Sequence, residues 1–349
     1  MLPSPASDAS DALAVIGRLI GWLDGGRGAA LAVVVETWGS SPRPAGSLLA
    51  VNDKSAFAGS VSGGCVESAV VAESLALIKS GGHKILEFGI ADESAWKVGL
   101  ACGGRLKVFV AGATATWRET LEKLVAVRRK KRPAALIVDL EKGKPALMVE
   151  GDRKFKVGAA PEWLAAPVAE ALQSDESRVV EGPKGAKRFV GVFNPPLRLL
   201  VVGAVHIAQS LARLAAETGF EVVVIDPRGA WATAERFPGV VLDKRWPKEA
   251  LAVLKPDRRT AIVSLSHDPK LDDPALLAAV ASNAFYIGAL GSRRTQENRM
   301  KRLQAEGADT KALKRIHGPV GLDIGALTPA EIALSIMAEV VAAWRGESG

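Results

Sequence analysis

The sequence predicts an α/β protein with two domains. The first is an N-terminal α+β domain with glycine-rich cysteine loops over residues 1–192, and the second a C-terminal Rossmann-like, doubly wound parallel sheet over 197–349. Three observations predict it. The chain has 349 residues, more than one hydrophobic core usually organises. Phe193-Asn194-Pro195-Pro196 reads as a linker, because paired prolines fix the chain and remove backbone donors. Beyond it, apolar strand-like runs alternate with helical stretches, the pattern of a parallel sheet.

The elements follow in order. Residues 11–24 put Leu13, Val15, Ile16, Leu19, Ile20 and Leu23 on one helical stripe, which Gly25-Gly26 ends. Strand-like runs at 30–37 and 47–52 are joined by a loop, 38–46, rich in Ser, Pro and Gly. A glycine turn at 59–65 opens a helix at 66–79, with strands near 84–88 and 105–110. From 112 to 190 the pattern is weaker: a helix near 116–130, a strand at 134–139 and a helical stretch near 161–173. After the linker come a strand at 197–202, a helix at 206–218 and a strand at 221–225. Further strands fit at 239–242, 260–265 and 284–288, with helices between. Thr328-Pro329-Ala330-Glu331 is a capping box with proline at the first helical position, so a last helix starts there.

Composition excludes several classes. The longest apolar run, 29–35, is far short of the ~20 residues that span a bilayer. The start, MLPSPASDAS, lacks a cationic segment followed by an apolar core, so a cytoplasmic protein with no membrane partner is expected. The net charge is +7, which favours anionic partners in general. The densest basic run, Arg128 to Arg132, follows an amphipathic stretch and suits the negative end of a helix dipole. No aromatic interleaving accompanies it, so no nucleic-acid partner is expected. Two cysteines, Cys65 and Cys102, make neither a disulfide framework nor a CxxC motif. The four histidines are scattered and do not supply a structural zinc spacing.

Those cysteines lie in glycine loops. Cys65 ends the run GSVSGGC (59–65), flanked by Gly63 and Gly64; Cys102 lies in GLACGGR (99–105), followed by Gly103, Gly104 and Arg105. Glycines permit unusual backbone geometry and let amides converge on an anion as a nest. A thiol at a helix N-terminus is also more readily ionised. Cysteines are often inert and buried, but a core thiol does not need close backbone approach on both sides. The loop GSSPRP (39–44) adds hydroxyls, including Ser41, and the guanidinium of Arg43, suited to phosphate. Together the three loops suggest a site for a soft, anionic ligand.

A second constellation lies beyond the linker. Gly203-Ala204-Val205-His206-Ile207-Ala208 follows a strand and opens a helix, the context of the dinucleotide fingerprint. Asp226 ends the next strand, where such folds accept ribose hydroxyls. The fingerprint's middle glycine is Val205. Its side chain obstructs close approach of a pyrophosphate, so the fold is expected to be Rossmann-like while NAD(P) binding is not. Arg293 and Arg294 follow another strand near a helix start and suit a phosphate; a plain surface pair is the alternative. His267 beside Asp268 reads either as an acid–base pair or as a loop histidine with local bonds.

Across nearly its whole length the chain resembles the XdhC/CoxI family of molybdenum-enzyme maturation factors. The resemblance rests on GSSPRP (39–44), GSVSGGCVE (59–67), GLACGG (99–104), the turn at 203–208, Val224-Ile225-Asp226-Pro227-Arg228, SHDPKLDDPAL (266–276), YIGALGSRRT (286–295) and HGPVGLDIGALTPAEIALSIMAE (317–339). It departs from the family at Val205, where many members have glycine. The resemblance implies a chaperone, not an enzyme, that binds a molybdopterin-type molybdenum cofactor and shields it. It also implies cooperation with a cysteine desulfurase that supplies the sulfido ligand, and delivery to an apo molybdenum hydroxylase of xanthine or CO dehydrogenase type. A homodimer is implied as well. Carried over by position, Cys65 and Cys102 become cofactor-binding candidates and candidate contacts of the molybdenum centre; no catalytic residue is implied. Two other functions fit the residues: an NAD(P)-dependent oxidoreductase using Asp226 or Arg228, and a docking scaffold that holds no cofactor.

Overall fold

The chain divides at the paired prolines into two compact units, Met1–Pro195 and Pro196–Gly349. The computed structural model describes residues 12–39, 43–62, 64–89, 104–151 and 160–346.

Unit 1 begins with α1 (Ala12–Asp24), β1 (Ala29–Trp38), β2 (Leu48–Asn52), β3 (Phe57–Gly59), α2 (Cys65–Ser80), β4 (His83–Phe88) and β5 (Arg105–Gly112). It continues with α3 (Ala115–Arg129), β6 (Ala134–Asp139), β7 (Pro145–Val149), α4 (Ala165–Ser174), β8 (Arg178–Glu181) and β9 (Lys187–Phe193). The strands form two antiparallel sheets, ordered β3-β2-β1-β5-β4 and β7-β6-β9-β8. Both faces of β1 are buried, which explains its unbroken apolar run. Ala32 and Val34 pack with α2, whereas Leu31 and Val33 pack with α1 and α3. Those two helices share their core with one face of the second sheet through Leu136, Val138 and Phe189. The other face of that sheet is covered by α4. Trp117 of α3 is fully buried, and its indole N–H donates to the Gly143 carbonyl at 3.1 Å.

Unit 2 carries β10 (Arg198–Val202), α5 (His206–Glu217), β11 (Glu221–Ile225), β12 (Val241–Asp243), α6 (Pro247–Leu254), β13 (Thr260–Ser264) and α7 (Pro269–Val280). It closes with β14 (Tyr286–Ala289), α8 (Arg293–Ala305), α9 (Thr310–Leu313), β15 (Ile316–His317) and α10 (Pro329–Arg345). The sheet is parallel throughout, in the order β12-β11-β10-β13-β14-β15. This is the doubly wound Rossmann arrangement, with its switch point between β10 and β13. Helices α5 and α10 cover one face, and α6, α7 and α8 the other. The capping box reads as the sequence predicts. Thr328 Oγ1 accepts the Glu331 N–H at 3.3 Å, and Glu331 accepts the Thr328 N–H at 2.9 Å.

Two local expectations fail. Phe193 is not linker: it ends β9 and pairs with Ala134. The weakly patterned stretch 145–193 holds β7, β8 and β9, whose short runs become strands only through their partners.

Candidate functional site

Register decides which loops of unit 1 meet. Val33 pairs with Leu48, Trp38 with Arg105, Leu49 with Gly59 and Phe88 with Leu106. The described roots of three loops, at 39 and 43–47, 60–62 and 64, and 89 and 104, therefore lie at one end of the five-stranded sheet. In the sequence these roots flank GSSPRP and the two cysteine loops. Gly39 and Gly104 come close at that end: a Cβ on Gly39, whose φ is +69°, would stand 3.5 Å from the Gly104 Cα.

The turn before α2 is built around a carboxylate. Glu67 Oε1 accepts the N–H groups of Val61 at 3.3 Å and Ser62 at 2.9 Å, and the Ser60 hydroxyl at 2.8 Å. Oε2 accepts the Gly64 N–H at 2.6 Å. The amide nest expected for an external anion is thus occupied by the chain's own Glu67. An anion at a helix N-terminus is favoured there, and a glutamate at the third helical position satisfies amides the helix leaves unpaired. The consequence is a fixed start for α2 at Cys65, one residue earlier than predicted, with Gly64 as its N-cap. The sequence motif contains Glu67, but its composition alone assigns that residue no role. The signal that could have found it is its spacing, three residues after the cap.

Of the other unit 1 candidates, Arg43 is partly buried, and Arg105 is exposed at the first position of β5. Its stem lies along Gly89, where an added Cβ would meet Arg105 Cγ at 3.1 Å. Ser41, Gly63, Cys102 and Gly103, with the side chain of Cys65, lie outside the described residues. Among the described residues no group of three or more His, Cys, Asp or Glu is placed to hold a metal ion, and no helix is long and apolar enough to cross a membrane.

In unit 2 the candidates gather at the carboxyl edge of the sheet, where open α/β folds bind ligands. Gly203 has φ +100°, and a Cβ there would come within 2.9 Å of the Ser266 nitrogen, so only glycine suits this turn. His206 is the exposed first residue of α5; Arg293 and Arg294 are exposed at the start of α8, capped by Ser292.

Asp226 departs from its expected role. It is fully buried; its Oδ2 accepts the Ala204 N–H at 2.8 Å, and its carboxylate takes the Arg228 guanidinium at 2.9 and 2.7 Å. Burial pushes its pKa up, but the bonds from Arg228 and Ala204 outweigh this and hold it below the ordinary range. Arg228 thus occupies the edge a ribose diol would need. Asp243 clasps Arg245 in the same way at the end of β12. Asp268 caps α7 by accepting the Lys270 N–H at 3.0 Å. That cap, with His267 exposed at φ +60°, favours the local reading over an acid–base pair.

A polar cluster joins residues of two of the sequence motifs, 286–295 and 317–339. Glu339 of α10 accepts the Tyr286 hydroxyl at 2.6 Å, the Gly321 N–H at 2.6 Å and a bond with His317 Nδ1 at 2.8 Å. The motifs contain all four residues, but their spacing does not show that they meet, since they lie on β14, β15, the segment after β15 and α10.

Two family models match the chain: the XdhC and CoxI family over residues 22–89, and the XdhC Rossmann domain over 199–340. The molybdenum cofactor insertion chaperone PaoD of Escherichia coli K12 is 31% identical over 317 residues, spanning 90% of this chain and 83% of that protein. The chain belongs to the XdhC and CoxI family. A Bacillus subtilis 168 protein named as a probable xanthine dehydrogenase subunit is 29% identical over 317 residues, spanning 90% of this chain and 92% of that relative. The crystal structure of a xanthine dehydrogenase from Bacillus halodurans superposes with a TM-score of 0.76, covering 95% of this chain and 96% of that one. At 20% identity, that likeness shows the fold alone.

Two outcomes follow from this XdhC-type geometry. Glu67→Ala should cost about 1–3 kcal/mol in denaturant unfolding and speed amide exchange at Val61, Ser62 and Gly64. Unchanged exchange there would mean the carboxylate does not hold the turn. For Glu339, burial pushes the pKa up, but His317, Tyr286 and the Gly321 amide together hold it below the ordinary 4.5. Its stabilising contribution is therefore complete above that value and is lost as pH falls through the lower folded value. Glu339→Gln should destabilise unit 2 at pH 7 and differ less from the parent near pH 3; a gap independent of pH would contradict this.

Proposed function

We propose that this chain is a maturation factor that carries a molybdopterin-type molybdenum cofactor to a molybdenum hydroxylase, the cofactor being cargo and not a resident group. The observation that carries the reading is that the described roots of the three glycine loops lie at one sheet end of a chain in the XdhC and CoxI family. In that reading the loops bind and shield the cofactor. Cys65 and Cys102 supply soft sulfur ligands suited to a sulfur-rich metal centre. Arg43 and Arg105 suit its phosphate, since the nearby amide nest is taken by Glu67. The chaperone name of the relative PaoD supports a carrier over a turnover enzyme.

In the same reading a cysteine desulfurase meets the loaded carrier and sulfurates the cofactor, after which an apo-hydroxylase of xanthine or CO dehydrogenase type receives it. The unit 2 edge supports a dinucleotide poorly, because Val205 stands in the turn and Arg228 covers Asp226. The oxidoreductase reading keeps the Rossmann topology and the Gly203 turn in its favour, but Val205 and the Arg228 pairing of Asp226 weigh against it.

The test is anaerobic gel filtration of the reduced protein with molybdenum cofactor, following molybdenum and pterin together. Stoichiometric co-elution is expected for the parent, with loss in Cys65→Ala or Cys102→Ala. A folded parent that carries neither molybdenum nor pterin would contradict the carrier reading and favour a docking scaffold.

A further inference from the structure

Trp38 ends β1 at the loop-bearing end of the sheet, yet it is 46% exposed and belongs to none of the apolar cores of unit 1. Leaving so large an apolar side chain half in water is unfavourable, and packing does not account for it. The ring is nevertheless held in place. Lys107 Nζ sits 5.2 Å from its centroid, a cation–π contact. Lys107 is itself tied to Glu36 at 3.1 Å and Glu87 at 3.5 Å. The Glu36 hydrogen bond foremost, helped by both carboxylates, raises the Lys107 pKa, so the ammonium stays charged.

Arg105 stands directly opposite Trp38 in the β1–β5 ladder. Side chains in such a pair share one face of the sheet. Arg105 is exposed and has no ion pair or hydrogen bond among the described residues, and its stem is packed on Gly89. The roots of two loops adjoin this pair, since Gly39 follows Trp38 and Gly104 precedes Arg105. A half-exposed indole held by Lys107, beside a guanidinium without an ion pair or hydrogen bond among the described residues, suits a flat conjugated heterocycle that carries a phosphate. The ring stacks on the indole, and the phosphate meets the guanidinium.

We infer that Trp38 and Arg105 form the recognition platform for the pterin and phosphate of the cargo, Trp38 stacking on the ring and Arg105 taking the anion. This rests on the carrier reading above and adds to it a residue that sets selectivity for an aromatic ligand. It also divides the labour at the sheet end, with sulfur ligands for the metal and Trp38 with Arg105 for the organic part.

The test is anaerobic ultrafiltration of extracted molybdenum cofactor over a concentration series. It compares the parent with Trp38→Phe, Trp38→Leu, Arg105→Ala and Cys65→Ala, with circular dichroism and thermal melting as fold controls. Trp38→Leu should weaken retention about tenfold, the scale of one lost base–aromatic stack, whereas Trp38→Phe keeps most of it. Arg105→Ala should weaken retention and flatten its dependence on salt. Retention by Trp38→Leu equal to the parent's, or equal loss in Trp38→Phe and Trp38→Leu, overturns the platform while leaving the carrier reading intact. A parent that retains no cofactor overturns both, and the platform variants then match it.

Discussion

Four donors converge on the carboxylate of Glu67: three backbone N–H groups and the Ser60 hydroxyl. Without it, the turn 60–64 would hold several unpaired amides beside a helix start, where partial positive charge accumulates. With it, the amides of Val61, Ser62 and Gly64 are satisfied and Cys65 takes the first helical position of α2. The register of the sheet places the roots of the other two glycine loops at the same end of the sheet. The start of α2 at the loop-bearing end therefore depends on contacts made within seven residues along the chain. Because the carboxylate fills the nest, the negative charge of a cargo falls to side-chain cations, which gives Arg105 a role that the glycines could not share.

The same economy operates in unit 2 with the opposite effect. The Rossmann sheet reproduces the topology that elsewhere opens a crevice for dinucleotides. At the end of β11, however, the aspartate is sealed by its own Arg228, and on β12 Asp243 is sealed by Arg245. Arg228 further stacks on Trp231 at 4.9 Å. The carboxyl edge near β11 is thus closed by internal charge pairs, while the Glu339 cluster organises the opposite side of the sheet at β14 and β15. Fold and ligand specificity separate here, as they do across this architecture generally.

Much of this is legible in the sequence, and the limits have physical causes. Strongly apolar runs such as Leu199–Val202 and Val222–Ile225 lie in the middle of the sheet and announce their strands regardless of partners. The capping box at Thr328 is local chemistry and can be read directly. Strands β7, β8 and β9 cannot, because five-, four- and seven-residue runs in a small sheet owe their state to their partners, β7 and β8 through short hairpins and β9 also to β6 far along the chain. The glycine loops are recognisable, but not that a glutamate three residues past the cap fills one of them. Asp226 is placed correctly at a strand end; that its neighbour two residues on folds back over it is a side-chain geometry no spacing rule reports. The members of the Glu339 cluster all fall within the motifs 286–295 and 317–339, but their meeting depends on how β14, β15 and α10 pack, which no spacing shows.

The central claim is that the cargo sits at the loop-bearing end of the five-stranded sheet in unit 1. Amide hydrogen exchange of the full chain, with and without molybdenum cofactor under anaerobic conditions, tests it most directly. Slowed exchange over 43–46, 60–67 and 104–107 on loading, with the unit 2 edge at 203–207 and 290–295 unchanged, is the predicted result. Protection confined to the unit 2 edge would contradict the account and place the cargo in the Rossmann crevice.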